Sequence, residues 1–385
     1  MMRYTLLKEY LKEDFWIMPA TPKYLDSGIP YITSKNIRNG SIDYNNVNYI
    51  SEEDYLSISK NRPINVGDIL ISMIGTLGET AVVKKNDGNF YGQNMFLIRL
   101  DENKIDMNYF LHYFRSEFVK KQLLGKQNKS TQSYLKANHI EELKIPIYSL
   151  EDQRKISIKL SNIQQLINIK KNQIESLNKL IKSQFVEMFQ NGNFEKEELG
   201  KLCDVRDGTH DSPKYLDESE FKFITSKNII NNDIDFSGAK FISKQDYDKF
   251  NIRSKVNYGD ILMPMVGTIG NPVIVNIPNE EIDFAIKNVA LIKFLEDSKV
   301  INIYVKNLLN SDYFENAIFQ NKRGGTQKFI ALSDIRKLEI EVPPIELQNK
   351  FARIVKLVDS QKCECRESLK KLEEMQSALM QEYFG

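Results

Sequence analysis

Tyr31-Ile32-Thr33-Ser34-Lys35-Asn36-Ile37 returns later in the chain as Phe223-Ile224-Thr225-Ser226-Lys227-Asn228-Ile229, an offset of 192 from residue 31 to residue 223. The same offset carries Gly67-Asp68-Ile69-Leu70 onto Gly259-Asp260-Ile261-Leu262, and Gly75-Thr76 onto Gly267-Thr268. Flanking matches extend the repeat. Thr21-Pro22-Lys23-Tyr24-Leu25-Asp26 aligns with Ser212-Pro213-Lys214-Tyr215-Leu216-Asp217, and Ser130-Thr131-Gln132 with Gly325-Thr326-Gln327. A period this long duplicates a whole domain, whereas solenoid units recur every 20–50 residues or so.

Each copy reads as strands followed by helix. Asp68–Met73 and Thr80–Val83 are β-prone runs punctuated by Gly75 and Gly78. Met107–Leu124 reads as one helix, from the spacing of Phe110, Leu111, Phe114, Phe118 and Leu123. Each copy then ends in a heptad segment. In the first, the stripe is Ile156, Leu160, Ile163, Ile167, Ile174, Leu177, Ile181 and Met188, with Lys170 and Gln184 interrupting. In the second it is Phe351, Val355, Val358, Leu369, Leu372, Leu379 and Tyr383, with Lys362, Cys365 and Gln376 interrupting. Neither helix, of about 40 residues and 60 Å, buries such a stripe alone, so an antiparallel coiled coil between them is expected. The fold class is therefore α+β: two tandem homologous mixed domains and two long helices, with pseudo-two-fold symmetry.

Composition limits the function classes. The 385 residues carry 53 Lys and Arg against 52 Asp and Glu, so any basic footprint must be local. No run of apolar residues is long enough for a membrane span, and the start has no signal-peptide core. Cys203, Cys363 and Cys365 lack disulfide-framework and zinc spacing, from which a reducing, cytoplasmic setting is expected. No Walker loop, GxGxxG or HExxH is present, nor the Asn-Pro-Pro-aromatic motif of an amino-methyltransferase. Glu142-Leu143-Lys144 resembles a fragment of a nuclease motif, but the second copy has Lys337-Leu338-Glu339, and a solvated strand edge is the expectation. No catalytic residue and no metal ligand is assigned.

What remains suits binding. Lys120–Lys136 holds five lysines and no acid, and Asn316–Ser333 holds Lys322, Arg323 and Lys328 with no acid. Both contain the shared Thr-Gln. Lysines bind phosphates, and glutamine pairs with adenine in the major groove. The Thr-Ser-Lys-Asn motif has two readings: its Asn bonds a base edge or caps a turn. Gly75-Thr76 and Gly267-Thr268 read first as tight turns. On these residues alone, a protein-binding adaptor and a single-chain DNA-modifying enzyme remain open alternatives.

Asp207-Gly208-Thr209-His210-Asp211-Ser212-Pro213-Lys214-Tyr215, followed by Phe223–Ile229, resembles the opening of a target-recognition domain of the DNA-specificity (S) subunit of type I restriction–modification systems. Thr131-Gln132, then Leu143-Lys144-Ile145-Pro146-Ile147 and Glu151-Asp152-Gln153, resembles that domain's exit into a long helix. Leu338–Pro344 and Glu346-Leu347-Gln348 repeat it. The resemblance spans the whole chain and implies recognition domains at 1–148 and 193–343, with spacer helices at 149–192 and 344–385. It implies a non-catalytic, sequence-specific DNA-binding subunit in which each domain reads one half of a bipartite asymmetric site. Methyltransferase (M) subunits carrying S-adenosylmethionine would methylate adenine N6, and restriction (R) subunits would use ATP and Mg for translocation and cleavage. No cofactor is implied on this chain.

The residues expected at DNA are Thr33, Ser34, Lys35, Asn36, Arg38, Thr76, Lys129, Thr131, Gln132 and Lys136 in the first copy. In the second they are His210, Lys214, Thr225, Ser226, Lys227, Asn228, Thr268, Arg323, Thr326, Gln327 and Lys328. Differences between the copies should carry sequence choice: His210 stands where the first copy has Pro19, and Arg38 faces Ile230. For His210 the alternative is a turn cap beside Asp211.

Overall fold

A computed structural model of the chain describes all residues except 1–2, 14–15, 18–21, 39, 61, 74–77, 125–134, 191, 231–232, 267–269 and 320–329. It divides into two compact units, Met1–Lys171 with Glu367–Gly385, and Asn172–Arg366. Each unit takes a stretch of both long helices, Leu150–Phe185 and Ile345–Phe384.

In unit 1 an antiparallel sheet runs in the order Trp16–Ile17, Met95–Ile98, Ile69–Ser72, Thr80–Val82. Its central strands are buried from end to end because both faces are covered. Ile69, Ile71, Phe96 and Ile98 face a core that also holds Ile156, Leu160, Ile163 and Ile167 of the first long helix and Leu379 and Phe384 of the second. The alternate residues Leu70, Met95 and Leu97 face a second core with Tyr31, Ile32 and Tyr91. That second face carries a smaller sheet of Asn48–Ile50, Ile29–Ile32 and Tyr91–Gly92, in which Tyr31 pairs Tyr91 in parallel. The period of two in a strand thus sends one set of side chains to the helices and the other to the sheet bearing the repeated motif.

Unit 2 repeats the plan. Cys203–Asp207, Val289–Phe294, Ile261–Pro264 and Val273–Ile274 form the four-stranded sheet, and Lys240–Ile242, Phe221–Thr225 and Phe284–Lys287 the smaller one. Ile261, Met263, Ala290 and Ile292 pack with Ile181, Phe185, Phe351, Val355 and Val358 of the long helices, while Leu262, Val289 and Leu291 pack on the motif side.

The heptad positions read from sequence are buried or half-buried, but past Phe185 the first helix becomes a π-helical turn, Val186–Gln190, where Phe185 and Phe189 fill the core and Met188 is only partly buried. Within unit 1 the two helices run antiparallel: Gln376 Nε2 donates to Gln164 Oε1 at 2.9 Å, and Lys171 pairs Glu373 at 2.9 Å. In unit 2 the thiol of Cys365 lies 3.8 Å from Gln173 Oε1. Lys362, expected as an interruption, is only 8% exposed and holds Asp359 Oδ1 at 2.8 Å. Its methylenes occupy the apolar seam while the ammonium stays paired.

The expected single helix Met107–Leu124 is two helices, Met107–Phe114 and Glu117–Leu124. Ser116 breaks it by accepting the Val119 N–H on its hydroxyl, and Ser311 does the same for Phe314 between Asn302–Leu309 and Asp312–Phe319. Apolar spacing continues across the break, which is why periodicity misses it.

His112, on the first of these helices, lies 2.9 Å from the Ser161 hydroxyl of the long helix. Burial pulls its pKa down to about 4, with Arg115 adding to the effect and Asp106 opposing it. In the unfolded chain a histidine titrates near 6.5. The folded protein therefore resists protonation, so this contribution is complete above about pH 6.5, falls as pH drops and levels off below about 4. Allowing for partial exposure, a loss of about 1–2 kcal/mol is expected between those limits. Urea unfolding of wild type and His112→Gln at pH 7.5 and 4.5 measures it. Trp16, the single tryptophan, lies in unit 1, so its fluorescence reports that unit. The wild type should lose more stability on acidification than the variant; equal losses would refute the assignment.

Candidate nucleic-acid interface

On the motif side of unit 1, the strand Ile29–Ile32 leads into Thr33 and a single 3-10 turn, Ser34–Asn36. Asn36 builds this turn. Its Oδ1 accepts from the Thr33 N–H at 2.9 Å and the Thr33 hydroxyl at 3.2 Å, and its Nδ2 donates to the Asp43 carbonyl at 2.9 Å. Ser34 Oγ donates to the carbonyl of Asn94, whose φ of 60° is left-handed. Asparagine tolerates that region better than other side chains.

Unit 2 builds the same frame. Asn228 Oδ1 accepts from the Thr225 N–H and hydroxyl, both at 3.0 Å, and its Nδ2 donates to the Asp235 carbonyl at 3.1 Å. Ser226 Oγ donates to the carbonyl of Asn288 at 3.1 Å, where φ is 54°. Of the two readings of the motif asparagine, the structure takes the turn: Asn36 and Asn228 are buried with their amides committed. The hydroxyls of Thr33 and Thr225, and of Ser34 and Ser226, donate to the frame while their side chains stay half-buried. Within the shared motif only Lys35 and Lys227 are exposed.

The turn of unit 1 opens onto a cleft of about 490 Å³ lined by Ser34, Lys35, Arg38, Asn45, Asn46 and Asn48 among others. All five expected residues from Thr33 to Arg38 line it. Arg38 Nε donates to the Lys35 carbonyl at 3.0 Å. Lys136 stands apart, exposed at the N-cap of the helix Ala137–Glu141.

In unit 2 His210 joins the frame. Its Nδ1 lies 2.9 Å from Asn288 Oδ1, and its Nε2 lies 2.9 Å from Asp207 Oδ2. Asp207 is buried and also bound by Arg253. The turn beside Asp211 is closed by Thr209, whose hydroxyl accepts the Asp211 N–H at 3.0 Å, so His210 is not that turn's cap. Its ring is clamped while two-thirds of the side chain stays exposed. Lys214 is exposed on the following loop. Thr76, Lys129, Thr131, Gln132, Thr268, Arg323, Thr326, Gln327 and Lys328 lie outside the described residues, as does Pro19.

Tyr24 and Tyr215 were missed. Both are more than a third exposed, and their rings lie 6.0 Å from Tyr31 and 6.3 Å from Phe223. The repeated Pro-Lys-Tyr-Leu-Asp was the available signal. Also missed was the role of the repeated Gly-Asp-Ile-Leu. Asp68 Oδ2 accepts the Asn65 N–H at 2.7 Å and its carboxylate holds Arg99 through two bonds of 2.8 Å. Asp260 accepts the Asn257 N–H at 2.7 Å and holds Lys293 at 2.5 Å. Burial pushes the Asp260 carboxyl above the usual carboxylate range, against the pull of Lys293. These motifs fix the sheet beneath the site.

Among the described residues no group of three or more His, Cys, Asp or Glu side chains could hold a metal ion, and no helix is long and apolar enough to cross a membrane. Glu142-Leu143-Lys144 borders the strand Lys144–Pro146, with Glu142 and Lys144 exposed and Leu143 buried.

The sequence profile of the type I restriction modification DNA specificity domain matches residues 17–179 and again 191–374. The chain belongs to this family. It is a type I restriction–modification specificity subunit with two target-recognition domains, one in each match. Among curated relatives, the type I restriction enzyme MjaVIII specificity subunit of Methanocaldococcus jannaschii is 25% identical over 360 residues, covering 87% of this chain and 80% of the relative. The fold is shared with the S subunit of a type I restriction–modification system from M. genitalium, with a TM-score of 0.58 at 15% identity over 100% of this chain and 96% of that one. A chain from a study of complex assembly and conformational transition in the type I R-M system gives 0.59 at 17%, covering 99% and 97%.

Proposed function

We propose that each recognition domain of this specificity subunit reads one half of a bipartite, asymmetric DNA site. The observation that carries this is the frame built twice with the same hydrogen bonds, from which different exposed side chains project: Arg38 against Ile230, and His210 in unit 2 only. Shared exposed lysines, Lys35 and Lys227, suit phosphate, which every sequence offers. The long helices set the spacing of the two readers and dock methyltransferase subunits. Those partners carry S-adenosylmethionine and methylate adenine N6, and restriction subunits, where present, bring ATP and Mg for translocation and cleavage. Catalysis resides in the partners, so the isolated chain transfers no methyl groups.

Exchanging residues 1–148 for the corresponding domain of another specificity subunit is expected to change one half of the methylated motif and leave the other half intact. Methylome sequencing of cells expressing the exchange reads this directly. Changes in both halves, or methyl transfer by the purified chain alone, would contradict the proposal. Duplex binding by the complex should weaken steeply with salt; a protein adaptor would show no such binding.

A further inference from the structure

We infer that position 38 in unit 1 and position 230 in unit 2 each select one base, Arg38 reading guanine and Ile230 the methyl group of thymine. The inference rests on the proposed function, in that DNA is what the two units read.

The two positions are equivalent in backbone and opposite in chemistry. Ile37 pairs Ile42 and Arg38 pairs Ser41 in one two-stranded ribbon; Ile229 pairs Ile234 and Ile230 pairs Asp233 in the other. Ile37 and Ile229 are each only 2% exposed and anchor their ribbons in the core beneath. Period two then turns the next residue outward. Arg38 is exposed, and Ile230 is 45% exposed. The ribbon is fixed from its other side too: Asp43 N–H donates to the Asn36 carbonyl at 2.7 Å, and Asp235 N–H to the Asn228 carbonyl at 2.7 Å. One frame therefore presents a guanidinium in one unit and a bare hydrocarbon in the other.

This sorts contacts by kind. A phosphate contact needs a donor or a charge whatever the sequence, and the frame offers one at the same place in both units through Lys35 and Lys227. Position 38/230 cannot serve phosphate in both, because isoleucine has neither. A base-reading position is the one expected to differ between two domains reading different half-sites. The Nε bond to the Lys35 carbonyl orients the Arg38 guanidinium and leaves its Nη groups without another bond among the described residues. A guanidinium offers two donors to guanine O6 and N7, and an apolar side chain packs on the C5-methyl of thymine. Around Arg38 the cleft adds Asn45, Asn46 and Asn48; unit 2 has Ser237, Gly238 and Lys240 at the corresponding positions. The surroundings thus change together with the selecting residue.

The test is a reciprocal exchange, Arg38→Ile and Ile230→Arg, made separately in the full chain and expressed with its methyltransferase partner. Methylome sequencing of the Arg38→Ile strain should show loss of guanine preference at one position in one half of the motif, and the Ile230→Arg strain should show thymine replaced by guanine at one position in the other half. Binding of the purified complex to the wild-type duplex should fall about 10- to 100-fold for either variant, at one fixed salt concentration. The unaltered half reports an intact fold in the same molecule. A motif unchanged in both variants overturns the inference. So does a weakening of all duplexes alike with a shallower salt dependence, which is the mark of a lost phosphate contact. If the wild-type complex itself yields no bipartite motif, the proposed function fails, and the inference with it.

Discussion

Replacing Asp68 by alanine is expected to destabilise unit 1 by about 2–4 kcal/mol, below the full cost of stranding one member of a buried ion pair because Arg99 keeps a second carboxylate. Asp68 is buried, and its partner Arg99 is mostly so. Without the carboxylate, Arg99 keeps Glu13 at 2.7 Å and the Pro63 carbonyl at 3.0 Å but loses both bonds to Asp68. The Asn65 N–H loses its acceptor as well. Urea unfolding followed by Trp16 fluorescence measures the loss in unit 1. Part of the cost is the guanidinium left without its buried partner rather than the worth of the pair, so Asp68→Ala with Arg99→Leu should recover part of the stability. A double variant no better than the single one would refute that explanation. Asp260→Ala should act similarly in unit 2, where Lys293 offers its donors without the fork geometry of arginine.

The duplicated plan and the helical seam were legible because they are periodic. A period of 3.5 in apolar residues needs no tertiary information, and Ile156, Leu160, Ile163 and Ile167 are buried as the pattern requires. Chemistry that depends on a distant partner was not legible. The sequence shows Asn36 as a candidate base reader and a candidate turn cap alike; the carbonyl of Asp43, which decides between them, is placed by the ribbon Ile37–Ile42. In sequence His210 reads as a DNA contact or as a local cap beside Asp211. Its ring reaches Asn288, 78 residues away along the chain, and Asp207. Lys362 looks like a break in the seam because hydropathy scores the ammonium and ignores its four methylenes. The difference between Arg38 and Ile230 is legible in the two copies; that both stand at the same outward place of an equivalent ribbon depends on backbone pairing that the sequence does not show.

Gln153 and Gln348 explain why a glutamine returns at the third place of Glu151-Asp152-Gln153 and Glu346-Leu347-Gln348, at the start of both long helices. Each glutamine is buried to within 1%, with its oxygen and both amide hydrogens bonded. Gln153 Oε1 accepts the Asp106 N–H at 2.8 Å while its Nε2 donates to the carbonyls of Lys104 and Tyr148 at 3.2 and 3.1 Å. Gln348 does the same for the Ile301 N–H at 2.9 Å and for the carbonyls of Lys299 and Pro343 at 2.9 and 2.7 Å. One side chain thus ties the start of a long helix to the start of the domain's own helix. Gln153→Leu, similar in size, removes the partner of one N–H and two carbonyls, on residues that are half-buried or, at Lys104, exposed. At about 1–3 kcal/mol for a fully buried group, and less where water can reach it, a loss of about 2–4 kcal/mol is expected. Gln153→Glu separates hydrogen bonding from shape. An ionised carboxylate still accepts from Asp106 but turns negative oxygen toward two carbonyls, and burial there raises its pKa above that of the unfolded chain. The stability of this variant is then retained at low pH and lost as pH rises through the folded pKa. Its deficit relative to wild type, again followed by Trp16 fluorescence, should be larger at pH 8 than at pH 5. The Gln153→Leu deficit should be nearly the same at both. A Gln153→Glu protein as stable as wild type at pH 8 would show that the amide donors do not hold this junction.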